Sequence, residues 1–251
     1  MYSATTPCQT LLFSLIIYSI LIPQSHERNF KSRHDLLKYL EIYKSLNDQM
    51  NNPIKRNKTE IDLSLEVTSL DLNFGEGELK VDGLITLRWN DQRYKWNPED
   101  FEDIDSIELP FSKVWSPEVI LLNARVEKFI HRQIGIVKSN GDIIYLLSMH
   151  SSSNCKPNFE KYPFGIQTCA LKFGSWRNQH YKVEYNAKNS TVADNDFVST
   201  KGWAIQASSV NMESTQYPLF QEPLPSVVFN ISFKKVFHFD PDTHTLLKVI
   251  N

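Results

Sequence analysis

The sequence predicts a mainly β protein, a twisted β-sandwich of about ten short strands behind one N-terminal α-helix. Three observations carry that prediction. From about position 60 onward, apolar residues recur at every second position, the period of strands with one face in a core. One Asn-Gly dipeptide sits between two such runs, where a tight hairpin turn needs positive φ angles. The one stripe of helical period lies upstream of all the strands, so helix and strands are segregated rather than alternating. A length of 251 residues suits a single sandwich.

Residues 1–25 contain no Asp, Glu, Lys or Arg, and Leu11 to Ile22 is a run of twelve largely apolar residues. A membrane-crossing helix needs about 20. The run therefore reads as the core of a secretory signal, residues 1–25, with an uncleaved anchor as the alternative. No Lys or Arg precedes it, and Pro23-Gln24-Ser25 is a poor small-residue cleavage site. Residues 26–239 are then the folded domain and 240–251 a short, charged C-terminal tail. From Asp35, a plausible N-cap, Leu36, Leu37, Leu40, Tyr43 and Leu46 form one helical stripe, which Asn51-Asn52-Pro53 ends. Ile61, Leu63, Leu65 and Val67 then alternate with polar neighbours. So do Leu79, Val81, Ile85, Leu87 and Trp89, with Gly83 as the gap in that face. Ser139-Asn140-Gly141-Asp142 joins strands Ile134–Val137 and Ile143–Leu147. Further strands are expected at Ala170–Phe173, Tyr181–Tyr185, Trp203–Ala207 and Val227–Phe233. In the last, Phe229, Ile231 and Phe233 share a face and Asn230 points the other way.

Composition removes several function classes. Lys and Arg total 27 against 29 Asp and Glu, a net charge of −2, unlike the basic balance of nucleic-acid binders. Eight glycines are too few for Gly-rich linkers or phosphate-cradling loops. The seven histidines are scattered, His238 and His244 make no metal spacing, and there is no Gly-x-Ser-x-Gly. No enzyme activity, metal or cofactor is expected. Of three cysteines, Cys8 falls in the signal. Cys155 and Cys169 remain, either as a disulfide, expected after export, or as two buried thiols. Asn57, Asn189 and Asn230 each head an Asn-x-Ser/Thr sequon, which also fits export.

Five ordered motifs point the same way. Leu87-Arg-Trp-Asn-Asp91 and Tyr94-Lys-Trp-Asn-Pro98 come first, then Val114-Trp-Ser-Pro-Glu118 running on to Ala124. Next are Cys155 to Cys169 enclosing Tyr162-Pro-Phe164, and Leu171-Lys-Phe-Gly-Ser-Trp176. Together, from about residue 33 to 237, they resemble the ectodomain of Cys-loop, nicotinic acetylcholine receptor-like ion channels. The resemblance implies an immunoglobulin-like sandwich, a pentameric ring of related chains, and a ligand site at each subunit seam. Trp89, Trp96 and Trp115 are expected to fill the sandwich. Asp91 and Glu118 are expected to hold neighbouring groups by hydrogen bonds. The Cys-loop tip is expected to form an exposed apolar bulge.

In that family, aromatic rings surround a quaternary ammonium and hold it by cation–π attraction. Trp176 matches the principal-face tryptophan and Tyr217 the first tyrosine of the capping hairpin. The other positions depart: Leu122 stands for a tyrosine, Leu219-Phe220 for the adjacent cysteines, and Leu224 for the second tyrosine. On the complementary face, Leu84 stands for a tryptophan, and Ile144 and Leu146 match strand positions. With about 1 kcal/mol per aromatic, losing three weakens cation binding by about two to three orders of magnitude. A Leu-lined pocket favours a more apolar ligand, and Phe220 is a candidate to refill the cage.

The resemblance implies a secreted ligand-binding domain for a small neurotransmitter-like or apolar ligand, with no nucleic-acid partner. No stretch after the leader is apolar and long enough to span a membrane. Two alternatives stand beside it. One is a structural or decoy protein that assembles with related ectodomains and binds no small molecule. The other is a truncated channel subunit, with Lys234-Lys235 where receptors carry basic residues before their first membrane helix.

Overall fold

A computed structural model describes residues 31–42, 59–110, 113–160, 162–176, 183–186, 192–193, 202–240 and 245–248. The leader, Tyr43, Leu46, the Asn51-Asn52-Pro53 stop, Tyr181, Asn57 and Asn189 lie outside them.

The helix α1 (Arg33–Ile42) buries Leu36 and Leu40 against the sandwich. Its cap is Ser32 rather than the expected Asp35. The Ser32 N–H and hydroxyl both donate to the Asp35 carboxylate (3.0 and 2.9 Å), and the Asp35 N–H donates back to the hydroxyl at 3.4 Å. This reciprocal box satisfies two backbone donors at once, which a lone Asp cap could not do. The hydroxyl and N–H of Ser32 also hold the Asp35 carboxyl below its ordinary value.

The strands in chain order are β1 (Thr59–Asn73), β2 (Glu78–Lys95), β3 (Ser106–Pro110), β4 (Ile120–Leu121), β5 (Ala124–Lys138), β6 (Asn140–Asn154), β7 (Gln167–Gly174), β8 (Val183–Asn186), β9 (Val192–Ala193), β10 (Trp203–Thr215), β11 (Leu224–Lys235), β12 (Phe237–Asp240) and β13 (Thr245–Lys248). Seven form one sheet in the order β3-β5-β6-β2-β1-β8, with β9 also on β1; four form the second, β10-β11-β7-β4. Among the described residues the strand β12 pairs with β13 alone, so the expected tail contains half of a hairpin. Thirteen strands among the described residues exceed the expected ten, because β4 and β9 span two residues each and β12–β13 lies past the last predicted strand. Strands β8 and β9 join β1 in parallel, and the other pairs are antiparallel. Each predicted alternation is buried on its apolar side, and the inner faces of the two sheets form one core. Trp89, Trp96 and Trp115 all lie in it, as expected.

Two glycines are set by backbone proximity. Gly141, at φ +86°, opens β6 where a Cβ would stand 2.8 Å from the Asp91 carbonyl oxygen. Gly83 lies opposite a bulge in β1, where the register slips between Val67 and Ser69. A Cβ there would stand 2.3 Å from the Glu66 carbonyl oxygen, so only glycine lets the strands close.

Candidate functional site

The site begins with one short segment sewn onto the edge of β7. The Leu122 N–H donates to the Lys172 carbonyl oxygen at 2.7 Å. The Asn123 side chain continues the ladder: its amide donates to the Ala170 carbonyl at 2.8 Å and its oxygen accepts the Lys172 N–H at 3.0 Å. Leu122 then lies over Gly174, where a Cβ would meet its Cδ1 at 2.7 Å. Just upstream, the Glu118 carboxylate accepts the Ser175 hydroxyl at 2.8 Å, and the Glu118 carbonyl accepts the Tyr185 hydroxyl at 3.1 Å. Burial, and then the Glu118 charge, push the Tyr185 phenol far above its usual range. It therefore stays a neutral donor that anchors the segment. These contacts fix the turn that carries Trp176.

The second half of the site is the hairpin between β10 and β11. The Phe220 N–H donates to the Tyr217 carbonyl at 3.1 Å, closing a turn with Pro218 at its favoured second position. The Gln216 side-chain amide donates to the Tyr217 and Phe220 carbonyls at 3.1 and 2.7 Å and ties the turn to the strand. The result is a cluster of three rings. Trp176 meets Tyr217 edge-on with centroids 4.9 Å apart, and lies nearly parallel to Phe220 at 6.1 Å and 12°. Trp176 remains 40% exposed and Leu219, at the tip of the turn, 93%. Leu224 starts β11 opposite Thr215 and is buried.

The remaining predicted residues form a separate group. Leu84, Ile144 and Leu146 share the outer face of the seven-stranded sheet, half-buried, in a register that pairs Leu84 with Ser148, Thr86 with Leu146 and Arg88 with Ile144. The inward neighbours Ile85, Leu87, Ile143, Tyr145 and Leu147 belong to the core. Within one chain, therefore, Trp176, Tyr217 and Phe220 come together. The Leu84 strip lies on the far side of the other sheet.

Glu118 was expected to hold neighbouring groups, and it does. Asp91 does as well, accepting from the Arg93 N–H at 3.0 Å and its guanidinium at 2.8–3.1 Å. Asn123 and Gln216 were not expected. Asn123 acts on the backbone of β7, nearly fifty residues away, and Gln216 on carbonyls of its own turn, and hydrophobic periodicity carries no sign of either. At the opposite end of the sandwich, Cys155 and Cys169 are joined by a disulfide with Cα atoms 5.4 Å apart. The loop they close exposes Phe159, Tyr162, Phe164 and Ile166. Phe74 packs edge-on against Tyr162 at 4.5 Å, and Phe164 meets Phe237, the first residue of the terminal hairpin, at 5.0 Å. Among the described residues no group of three or more His, Cys, Asp or Glu could hold a metal ion. No helix there is long and apolar enough to cross a membrane.

A sandwich with a disulfide-closed loop at one end and a ring cluster at the end of β7 defines a receptor-type ligand-binding domain. The family model for the neurotransmitter-gated ion-channel ligand binding domain matches residues 34–236, and the chain belongs to that family. It is 26% identical over 150 residues to the neuronal acetylcholine receptor subunit alpha-3 of Bos taurus, covering 59% of this chain and 30% of the relative. Against the alpha-2 subunit of Gallus gallus the identity is 24% over 238 residues, 92% of this chain and 45% of the relative. The acetylcholine receptor subunit alpha-L1 of Schistocerca gregaria matches at 23% over 187 residues, 70% and 34% of the two chains. The chain thus spans less than half the length of these curated relatives.

Proposed function

We propose that this chain is an exported ligand-binding domain that takes a small amphiphilic ligand at the seam between two copies or related chains. One chain supplies Trp176, Tyr217 and Phe220, with Leu122 and Leu224 behind them; its neighbour supplies the Leu84, Ile144 and Leu146 strip. The carrying observation is the half-exposed cluster of three rings. Phe220, where acetylcholine receptor alpha subunits carry a cysteine, restores part of the aromatic surface lost at Leu122 and Leu224. Three rings backed by leucines favour a more apolar ligand, neutral or an amine with an apolar body, over a compact quaternary ammonium. Export is supported by the Leu11–Ile22 run and the disulfide, with glycans proposed at Asn57, Asn189 and Asn230. Asn230 lies on β11 with its amide 3.4 Å from the Asn211 oxygen.

Tryptophan emission titrated with choline esters, biogenic amines and their uncharged analogues tests this reading. A saturable change is expected in the native chain and none in Trp176→Phe. A response that persists in the variant, or no response to any member of the panel, overturns it. A second reading has its own observation: Trp176 and Phe220 stack on each other, so the rings already satisfy part of their own surface. On that reading the chain assembles with related ectodomains without a ligand. Sedimentation alone and with such ectodomains checks it, and a species that stays monomeric throughout would count against it.

A further inference from the structure

We propose that the outer face of the seven-stranded sheet carries a second binding cavity, for a small zwitterion with an ammonium at one end and a carboxylate at the other. It begins with the bulge in β1. Ile61, Leu63, Leu65 and Val67 point inward at odd positions, whereas Leu70 and Leu72 point inward at even ones. The extra residue between Val67 and Ser69 makes the change. It turns Ser69 and Asp71 outward, where the uninterrupted alternation would have placed them in the core. Gly83 permits the change by admitting the Glu66 carbonyl.

Two cross-strand rows result. One runs Ser69–Asp82–His150–Lys128 and the next Asp71–Lys80–Ser152–Val126, each across β1, β2, β6 and β5. They border an open cavity of about 510 Å³, within the range of small-molecule sites. The acids lie on the β1–β2 side and are held in place. Asp82 accepts from the Ser69 hydroxyl at 2.8 Å and contacts His150 Nδ1 at 2.9 Å, and Asp71 accepts the Trp203 indole N–H at 3.3 Å. On that side Lys80 is drawn to Glu78, 3.7 Å away. Lys128 stands across the cavity on β5, with no ion pair among the described residues.

Between the two sides is Ser152. It is only 5% exposed although it belongs to the outer face, and its hydroxyl has no hydrogen-bond partner among the described residues. An unpartnered buried hydroxyl is costly unless something arrives to satisfy it. With acids on one wall, a lysine on the other and a hydroxyl in the floor, the cavity has the polarity of a zwitterion's two ends. Val126, exposed on β5, supplies apolar surface for the carbons between them. Every residue involved belongs to one chain, and none is shared with the ring cluster.

The test is an NMR titration of the ¹⁵N-labelled chain with an ω-amino acid, 5-aminopentanoate, against pentanoate and pentylamine. The zwitterion should give saturable shifts confined to the amides around Asp71, Asp82, Lys128 and Ser152, while both single-charge analogues bind about tenfold more weakly. Ser152→Ala and Lys128→Gln should each weaken binding about five- to tenfold. Because its hydroxyl has no partner among the described residues, Ser152→Ala should melt at or above the temperature of the native chain. Trp176 emission should stay unchanged, which separates this site from the ring cluster. The proposal is overturned by shifts that never saturate, by a single-charge analogue that binds as well, or by variants that bind equally. A Ser152→Ala chain that loses stability would also overturn it, by revealing a protein partner for the hydroxyl.

Discussion

The Asp91 carboxylate is fully buried and depends on Arg93, two residues away, whose guanidinium and N–H both donate to it. Arg93→Ala leaves that charge in the interior without its counter-ion, and chemical denaturation should show a loss of about 3 kcal/mol. Gly83→Ala tests a different constraint. Its new Cβ would collide with a backbone oxygen rather than a movable side chain, so at least about 2 kcal/mol should be lost. A shift in urea midpoint with an unchanged slope is the expected signature. Gly83 stands out in the sequence as a gap in an alternating face, whereas Asp91 lies in the polar run Asn90 to Arg93 and its burial leaves no mark there. What the gap accommodates is not legible, because one extra residue in β1 looks like an ordinary polar pair, Thr68-Ser69. The fate of Phe220 is equally hidden. Its position opposite Trp176 is set by the Tyr217–Phe220 turn and by Gln216, and periodicity contains neither.

At the scale of elements, strands were read well wherever one face is buried, because alternation records burial directly. β1, β2, β7 and β11 extend beyond their predicted ends, since pairing continues past the apolar residues that reveal it. The parallel joins of β8 and β9 to β1 left no local mark, as parallel partners are distant in sequence. The helix cap lies three residues upstream of Asp35 because Ser32 and Asp35 form it jointly. That box predicts a pH effect. The folded-state pKa of Asp35 lies below its ordinary value of 3.8, so its contribution is complete above that pH and fades as pH falls through the lower folded value. Amide exchange in α1 should therefore accelerate on acidification below about pH 4. Asp35→Asn should flatten that dependence, and a variant with the native profile would show that the box does not hold the helix.

Across the whole molecule, the disulfide is the one long-range link the sequence announced, through a cysteine pair separated by 14 positions. Replacing Cys155 and Cys169 together by serine should lower stability by about 3 kcal/mol through loop-closure entropy, measured by thermal or urea unfolding. If the Phe159–Ile166 tip packed independently of its covalent closure, the loss would be far smaller. The sandwich as a whole was legible because most of its strands bury one face. The candidate site was legible as a set of residues but not as an arrangement, since its parts reach one another only through tertiary structure. The same separation has a consequence for behaviour in solution. With the rings at the end of β7 and the leucine strip on the far face of the other sheet, a chain cannot fold back to complete its own pocket. Under the proposed function, ligand uptake is then a collective property that follows protein concentration. A sample diluted below its association threshold should lose binding while every chain remains folded.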